Sequence, residues 1–198
     1  PPLPLQPVRI GGGTLNLLVD PLLRVQTARG LEHMSLPALL AALGRDEVEH
    51  LPGLQRHQED AFHVFLCCLA GAILSRRGDS DPVQPEEYWR SGLRGLAGEA
   101  GDDAWTLVVA DVSRPAFMQP PLTMTKFTVE TDFPDVIDAL QTAKNHDVKT
   151  SRMQRPETDH WVYALVSGHL NAGYSKGGAT GFYFPTVKVA SNYSGRVY

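Results

Sequence analysis

Cysteine is scarce: the 198 residues hold only Cys67 and Cys68, and sequence neighbours within an apolar run cannot form an ordinary structural disulfide with each other. A reduced compartment, the cytoplasm, is expected. Long apolar runs are also lacking. The longest, Ala61 to Leu74, is broken by His63 and Gly71 and falls short of the roughly 18 residues that cross a bilayer. The start of the chain lacks a basic residue followed by an apolar stretch, the mark of a secretory signal. It opens on Pro-Pro without Met, so a processed, trimmed or partial chain is expected.

The chemistry-bearing spacings are missing too. The histidines, at 33, 50, 57, 63, 146, 160 and 169, show none of the close spacings that put two imidazoles on one helical face, and neither H-E-x-x-H nor C-x-x-C occurs; no metal site is expected. There is no phosphate loop ending in Gly-Lys-Ser/Thr and no G-x-G-x-x-G behind a strand, so nucleotide hydrolysis and dinucleotide cofactors are not expected. Gly173-Tyr174-Ser175-Lys176-Gly177 matches G-x-S-x-G in form only. A nucleophile elbow needs a strand before the serine and an acid and a histidine after it, and no Asp, Glu or His follows Ser175. A mobile glycine loop is the stronger reading. The pairs Asp102-Asp103 and Glu86-Glu87 fall in loops or at helix starts, where solvation and the helix dipole account for them. No enzyme is expected, and no cofactor.

What is present is the composition of a folded chain, 42% hydrophobic and 20% charged. At this length it should bury about 70% of its unfolded surface, and one core is expected. The net charge of −4 speaks against avid non-specific nucleic-acid binding through a generally basic surface. It hides an asymmetry: residues 1 to 143 carry 11 Lys/Arg against 19 Asp/Glu, whereas 144 to 198 carry 7 against 3. An anion, if bound, is bound late in the chain; the alternative is a basic face turned to solvent or to an acidic partner subunit.

Residues 1 to 13, rich in Pro and Gly, read as a linker-like segment ahead of one α/β mixed (α+β) domain over 14 to 198. Asn16 to Val19 reads as a short buried strand ended by Asp20-Pro21, with Leu22 to Val25 resuming it. Ser35 caps a helix that carries Pro37 in its first turn and closes at Gly44. Glu59 to Arg77 is apolar around nearly its whole circumference and is expected to run through the core, with His63, Cys67 and Cys68 packed inside. Pro85 opens a further helix towards Leu96. Thr106 to Val112 has the β-branched residues of a buried strand, and Arg114 to Pro121 leaves it as a constrained loop. Helices are expected over Pro134 to Thr142 and Trp161 to Leu170. A Gly-rich passage, Gly173 to Gly181, and β-type residues over Phe182 to Val189 complete the chain.

Lys144-Asn145-His146 sets an amide between two further polar groups. Such an amide can meet base-edge acceptors or phosphate oxygens, with lysine neutralising phosphate; a plain turn at a helix end is the other reading. Glycine loops let backbone approach a ligand that a Cβ would exclude. Both features suit a minor groove, whose acceptors are few and degenerate.

In order along the chain, Asn16-Leu17-Leu18-Val19-Asp20-Pro21 with Val25, then Ser35-Leu36-Pro37-Ala38-Leu39-Leu40, Pro115-Ala116-Phe117-Met118-Gln119, Thr142 to Lys149 and Trp161 to Gly173 resemble the large subunit of type I-E CRISPR Cascade complexes, the CasA family. The resemblance implies a non-catalytic, DNA-binding subunit of a crRNA-guided antiviral ribonucleoprotein complex. Such a subunit reads the protospacer-adjacent motif on duplex DNA, helps start strand separation and offers a docking surface to a helicase-nuclease. Its implied partners are crRNA, target double-stranded DNA, other Cascade subunits and a nuclease effector, with no membrane.

By the same resemblance Asn145 matches the family's loop asparagine, with Lys144 and His146 its neighbours. The family's later R-M-N-G-G-F-G-S-R loop falls on Lys188 to Arg196, where the chain departs from it: the Asn-Gly-Gly centre is Ala190-Ser191-Asn192 here. The expected DNA-binding set is Lys144, Asn145, His146, Lys149, Arg152, Lys176, Lys188, Asn192, Gly195 and Arg196, on basic, Gly-containing loops gathered on one face. Family members run longer than this chain, with a C-terminal helical bundle, which leaves a fragment and a naturally reduced variant both open. The alternative function is a scaffold that docks acidic protein partners without touching nucleic acid.

Overall fold

The computed structural model describes residues 15–109, 111, 113–119, 121, 156–171, 182–183 and 188–189. Among them the fold is α+β and mostly helical, built on one hydrophobic core. Strands β1 (Leu23–Thr27) and β2 (Gly30–Met34) pair antiparallel, Leu23 opposite Met34 and Thr27 opposite Gly30. β1 alternates buried and half-buried residues, so Leu23, Val25 and Thr27 face the core while Arg24 and Gln26 face the other way. Helix α1 (Leu36–Gly44) follows at once. Ser35 caps it by accepting from the Ala38 N–H at 3.3 Å, as its sequence predicts.

α2 (Arg56–Arg77) starts at a capping box between Gln55 and Gln58 and stops at Gly78, whose φ of 66° is the left-handed conformation that glycine adopts without strain. α3 (Glu86–Leu96) starts behind Pro85, and its Glu86 and Glu87 sit in the first turn beside Arg90. A 3-10 segment, Gly98–Trp105, follows. α4 (Thr158–Asn171) packs on α2, and α3 packs on both α1 and α2. Two short strands, β3 (Phe182–Tyr183) and β4 (Lys188–Val189), form a second antiparallel pair.

The core gathers Leu17 and Leu18, Leu36 and Leu39, Phe62, Trp89, Leu93, Phe117, Tyr163 and Val166 from every helix and from the loops between them. Edge-on aromatic contacts knit it: Phe62 to Tyr163 at 4.7 Å between ring centroids joins α2 to α4, and Phe65 to Phe117 at 5.9 Å joins α2 to the 114–121 loop.

Three expectations need correction. Asn16 to Val19 is not a strand: Asn16 makes an isolated bridge to Thr106, a turn follows, and Val19 is 63% exposed. The side chain of Asn16 overrides the local β tendency by accepting from the Leu18 N–H at 2.8 Å, an Asx turn. Thr106 opens no strand either; among the described residues between 106 and 112 the only pairing is that bridge. α2, finally, does not run through the core on all sides. Ala61, Phe62, Phe65, Leu66 and Ile73 are buried, whereas His63, Val64, Cys67 and Cys68 are exposed. α3, α4 and Phe117 pack on α2, and its apolar residues away from these contacts stay outside. The expected helix over 134 to 142, the segment 1 to 13 and Ser175 lie outside the described residues.

Candidate functional site

α4 is the described helix that bears on the expected DNA-binding residues, because five residues separate Arg152 from its first residue and four separate its last from Lys176. With 14 residues it is about 20 Å long at 1.5 Å per residue, so the chain enters and leaves it at well-separated points. Both ends are anchored.

At the N-terminal end Asp159 is fully buried and takes two hydrogen bonds from Arg24 of β1, Nε to Oδ2 at 2.8 Å and Nη2 to Oδ1 at 3.0 Å. The two-bond fork matches guanidinium to carboxylate geometry. The same Nη2 stands 2.9 Å from His160 Nε2. Asp159, above all through that hydrogen bond, raises the Arg24 pKa beyond its ordinary value. Gly53 closes the arrangement, since a Cβ at this position would collide with Asp159 Oδ2 and Arg24 Nη2. One turn further along α4, the Tyr163 hydroxyl is buried without a hydrogen-bond partner, and burial pushes its pKa far up.

At the C-terminal end His169 Nε2 donates to the Met118 carbonyl. Burial lowers the His169 pKa, outweighing that hydrogen bond. Met118 is held in turn by the 114–121 loop: its φ is 54°, Ala116 and Gln119 form a bridge, and Gln119 Nε2 donates to the Leu107 carbonyl at 2.8 Å and the Phe117 carbonyl at 3.2 Å.

This arrangement ties both ends of α4 to the rest of the fold. Asp159 has no solvent contact and is neutralised by Arg24, and the Tyr163 proton is out of reach of neutral-pH chemistry. No group of three or more His, Cys, Asp or Glu able to hold a metal ion occurs among the described residues. The carboxylate pairs serve as counter-ions: Glu86 and Glu87 to Arg90, Asp102 to Arg94 and Asp103 to Arg114.

Of the expected DNA-binding residues, Lys188 opens β4, its backbone opposite Tyr183 of β3. Lys144, Asn145, His146, Lys149, Arg152, Lys176, Asn192, Gly195 and Arg196 lie outside the described residues. The Arg24 to Asp159 fork had no signal in the sequence: the partners are 135 positions apart, and each reads locally as an ordinary surface charge. No helix among the described residues is long and apolar enough to cross a membrane. Compared with known proteins, the chain matches no family model, no curated protein and no solved structure.

Proposed function

We propose that this chain is a non-catalytic, DNA-binding subunit of a crRNA-guided complex, similar to the Cascade large subunit, that reads a short motif on duplex DNA and helps open it, in the cytoplasm. Guide pairing would check the long sequence and leave the protein only the short motif. Asn145 would meet a base edge, with Lys144, His146, Asn192 and Gly195 beside it. Lys149, Arg152, Lys176, Lys188 and Arg196 would meet phosphates or the guide.

One observation carries this reading. Four of the five segments that bear the resemblance lie among the described residues, the last of them as far as Asn171, and they pack around one core. The Leu36 N–H donates to the Leu17 carbonyl at 2.8 Å, joining the first to the second. Asn16 Nδ2 reaches Thr106 Oγ1 at 3.1 Å while the Thr106 carbonyl accepts from the Phe117 N–H at 2.8 Å, joining the first to the third. Met118 and His169 join the third to α4.

The test is purification of the tagged full chain with whatever it assembles with, followed by fluorescence-anisotropy titration of duplex DNA at several salt concentrations. A co-purifying guide RNA and a log K that falls steeply with log salt support the reading. A slope near zero with no RNA bound favours the scaffold instead.

A further inference from the structure

Six of the nine described arginines have a carboxylate partner, and Arg56, at the start of α2, is exposed without one. Among the described residues Arg24, Arg29, Arg45, Arg90, Arg94 and Arg114 each pair with a carboxylate. Arg76 and Arg77, adjacent in the last turn of α2, are exposed and have no carboxylate partner. They are nonetheless held in place.

Arg77 lies over the Tyr88 ring, 4.1 Å from guanidinium carbon to ring centroid, and its Nη2 donates to Ser91 Oγ at 2.7 Å. Arg76 Nη1 donates to the Gly95 carbonyl at 3.2 Å. Ser91 and Gly95 are one turn apart on α3, about 5.4 Å along its axis. Two planar forks are therefore pinned side by side on the seam between α2 and α3, each with N–H groups left over. The Tyr88 face supplies a cation-π contact that orders Arg77 without cancelling its charge.

The acidic groups nearby are committed elsewhere. Asp79 accepts from the Ser80 and Asp81 N–H groups and from Tyr88 Oη, and those backbone bonds hold its pKa below the usual carboxylate range. Glu87 is taken by Arg90 and Asp102 by Arg94. The negative end of the α2 dipole faces the pair, but a helix dipole does not use up the leftover N–H donors.

We propose that Arg76 and Arg77 form a phosphate-backbone docking site for a nucleic-acid strand, engaging two successive phosphates independently of its base sequence. Guanidinium forks match phosphate oxygens in pairs, and they are more weakly hydrated than ammonium groups, so they give up water at lower cost. This contact lies on the acidic body of the chain and does not depend on the Asn145 loop.

The experiment uses the full chain with short DNA duplexes of arbitrary sequence, titrated by anisotropy between about 50 and 200 mM salt. Arg76→Gln with Arg77→Gln should lower the slope of log K against log salt by about 1.8, two phosphates at 0.9 each. Arg76→Lys with Arg77→Lys should keep the slope, because charge is retained. The single Gln variants should each carry half the change, which covers a double variant that fails to fold. The salt slope on arbitrary sequence and the discrimination between motif and scrambled duplexes are separate readouts, so failure here and failure of the motif-reading proposal are separable. An unchanged slope in the Gln variants, a Lys variant that loses as much as the Gln variant, or an unmodified chain with no salt-dependent binding would each overturn the site. Competition by poly-glutamate as effective as that of an oligonucleotide would point to an acidic protein partner and would overturn it too.

Discussion

Arg24 and Asp159 meet across 135 residues of chain in a two-bond fork, one partner 22% exposed and the other not at all. The fork ties the first hairpin to the first turn of α4, with Gly53 backbone pressed against both. A carboxylate with no solvent contact depends on its partner, because removing the cation leaves a buried charge uncompensated.

Arg24→Ala should therefore destabilise the fold by about 3 kcal/mol, measured by urea denaturation. Asp159→Asn in the Arg24→Ala background should recover part of the loss by removing the orphaned charge. A cost below about 1 kcal/mol would place the pair among ordinary surface bridges.

Asn16 anchors a second set of hydrogen bonds. Its amide donates to the Asp102 carbonyl at 2.9 Å and to Thr106 Oγ1, its oxygen accepts from the Leu18 N–H, and its own N–H donates to Asp20 Oδ2 at 2.7 Å. Asn16→Ala strips partners from groups that stay inside and should cost about 2–3 kcal/mol. Thermal unfolding followed by circular dichroism reads it, and a melting temperature unchanged from the parent would contradict the role.

His169 makes stability depend on pH. Its folded-state pKa lies below the ordinary value, so the unfolded chain binds the proton more readily and acid favours unfolding. The contribution is complete above about pH 6.5 and is lost as pH falls from there through the lowered folded value. Urea midpoints across that window should drop for the parent and drop less for His169→Gln. Identical pH profiles for the two would show that His169 is not the group responsible.

On the DNA side, Asn145→Ala should cost roughly 1–3 kcal/mol of discrimination between motif and non-motif duplexes. Lys176→Ala should weaken all sequences alike and flatten the salt dependence. Competition titrations with matched and scrambled duplexes separate the two behaviours. An Asn145→Ala variant that loses the same affinity on every sequence would refute base reading at that position.

Much of the fold was legible locally. Ser35 as a cap, Pro37 in a first turn, Pro85 ahead of α3 and Gly78 behind α2 are choices a few neighbouring residues dictate, because capping and φ preferences act within a turn. The β2 strand escaped notice: Gly30–Met34 is half-buried or exposed throughout, so its pairing with β1 leaves no apolar alternation to read.

The sequence by itself determined the cap of α1, the proline ahead of α3, the glycine behind α2 and the acidic-to-basic change along the chain, since each depends on residues close in order; the starts of α2 and α4 lie three residues earlier than it suggests. Only the tertiary structure decided which face of α2 stays outside, why Asn16 turns instead of extending, that Arg24 reaches Asp159, and that Arg76 and Arg77 stand together without a counter-ion. Those outcomes depend on which distant elements pack together, and hydrophobic periodicity, being non-directional, names a buried face without naming its neighbour.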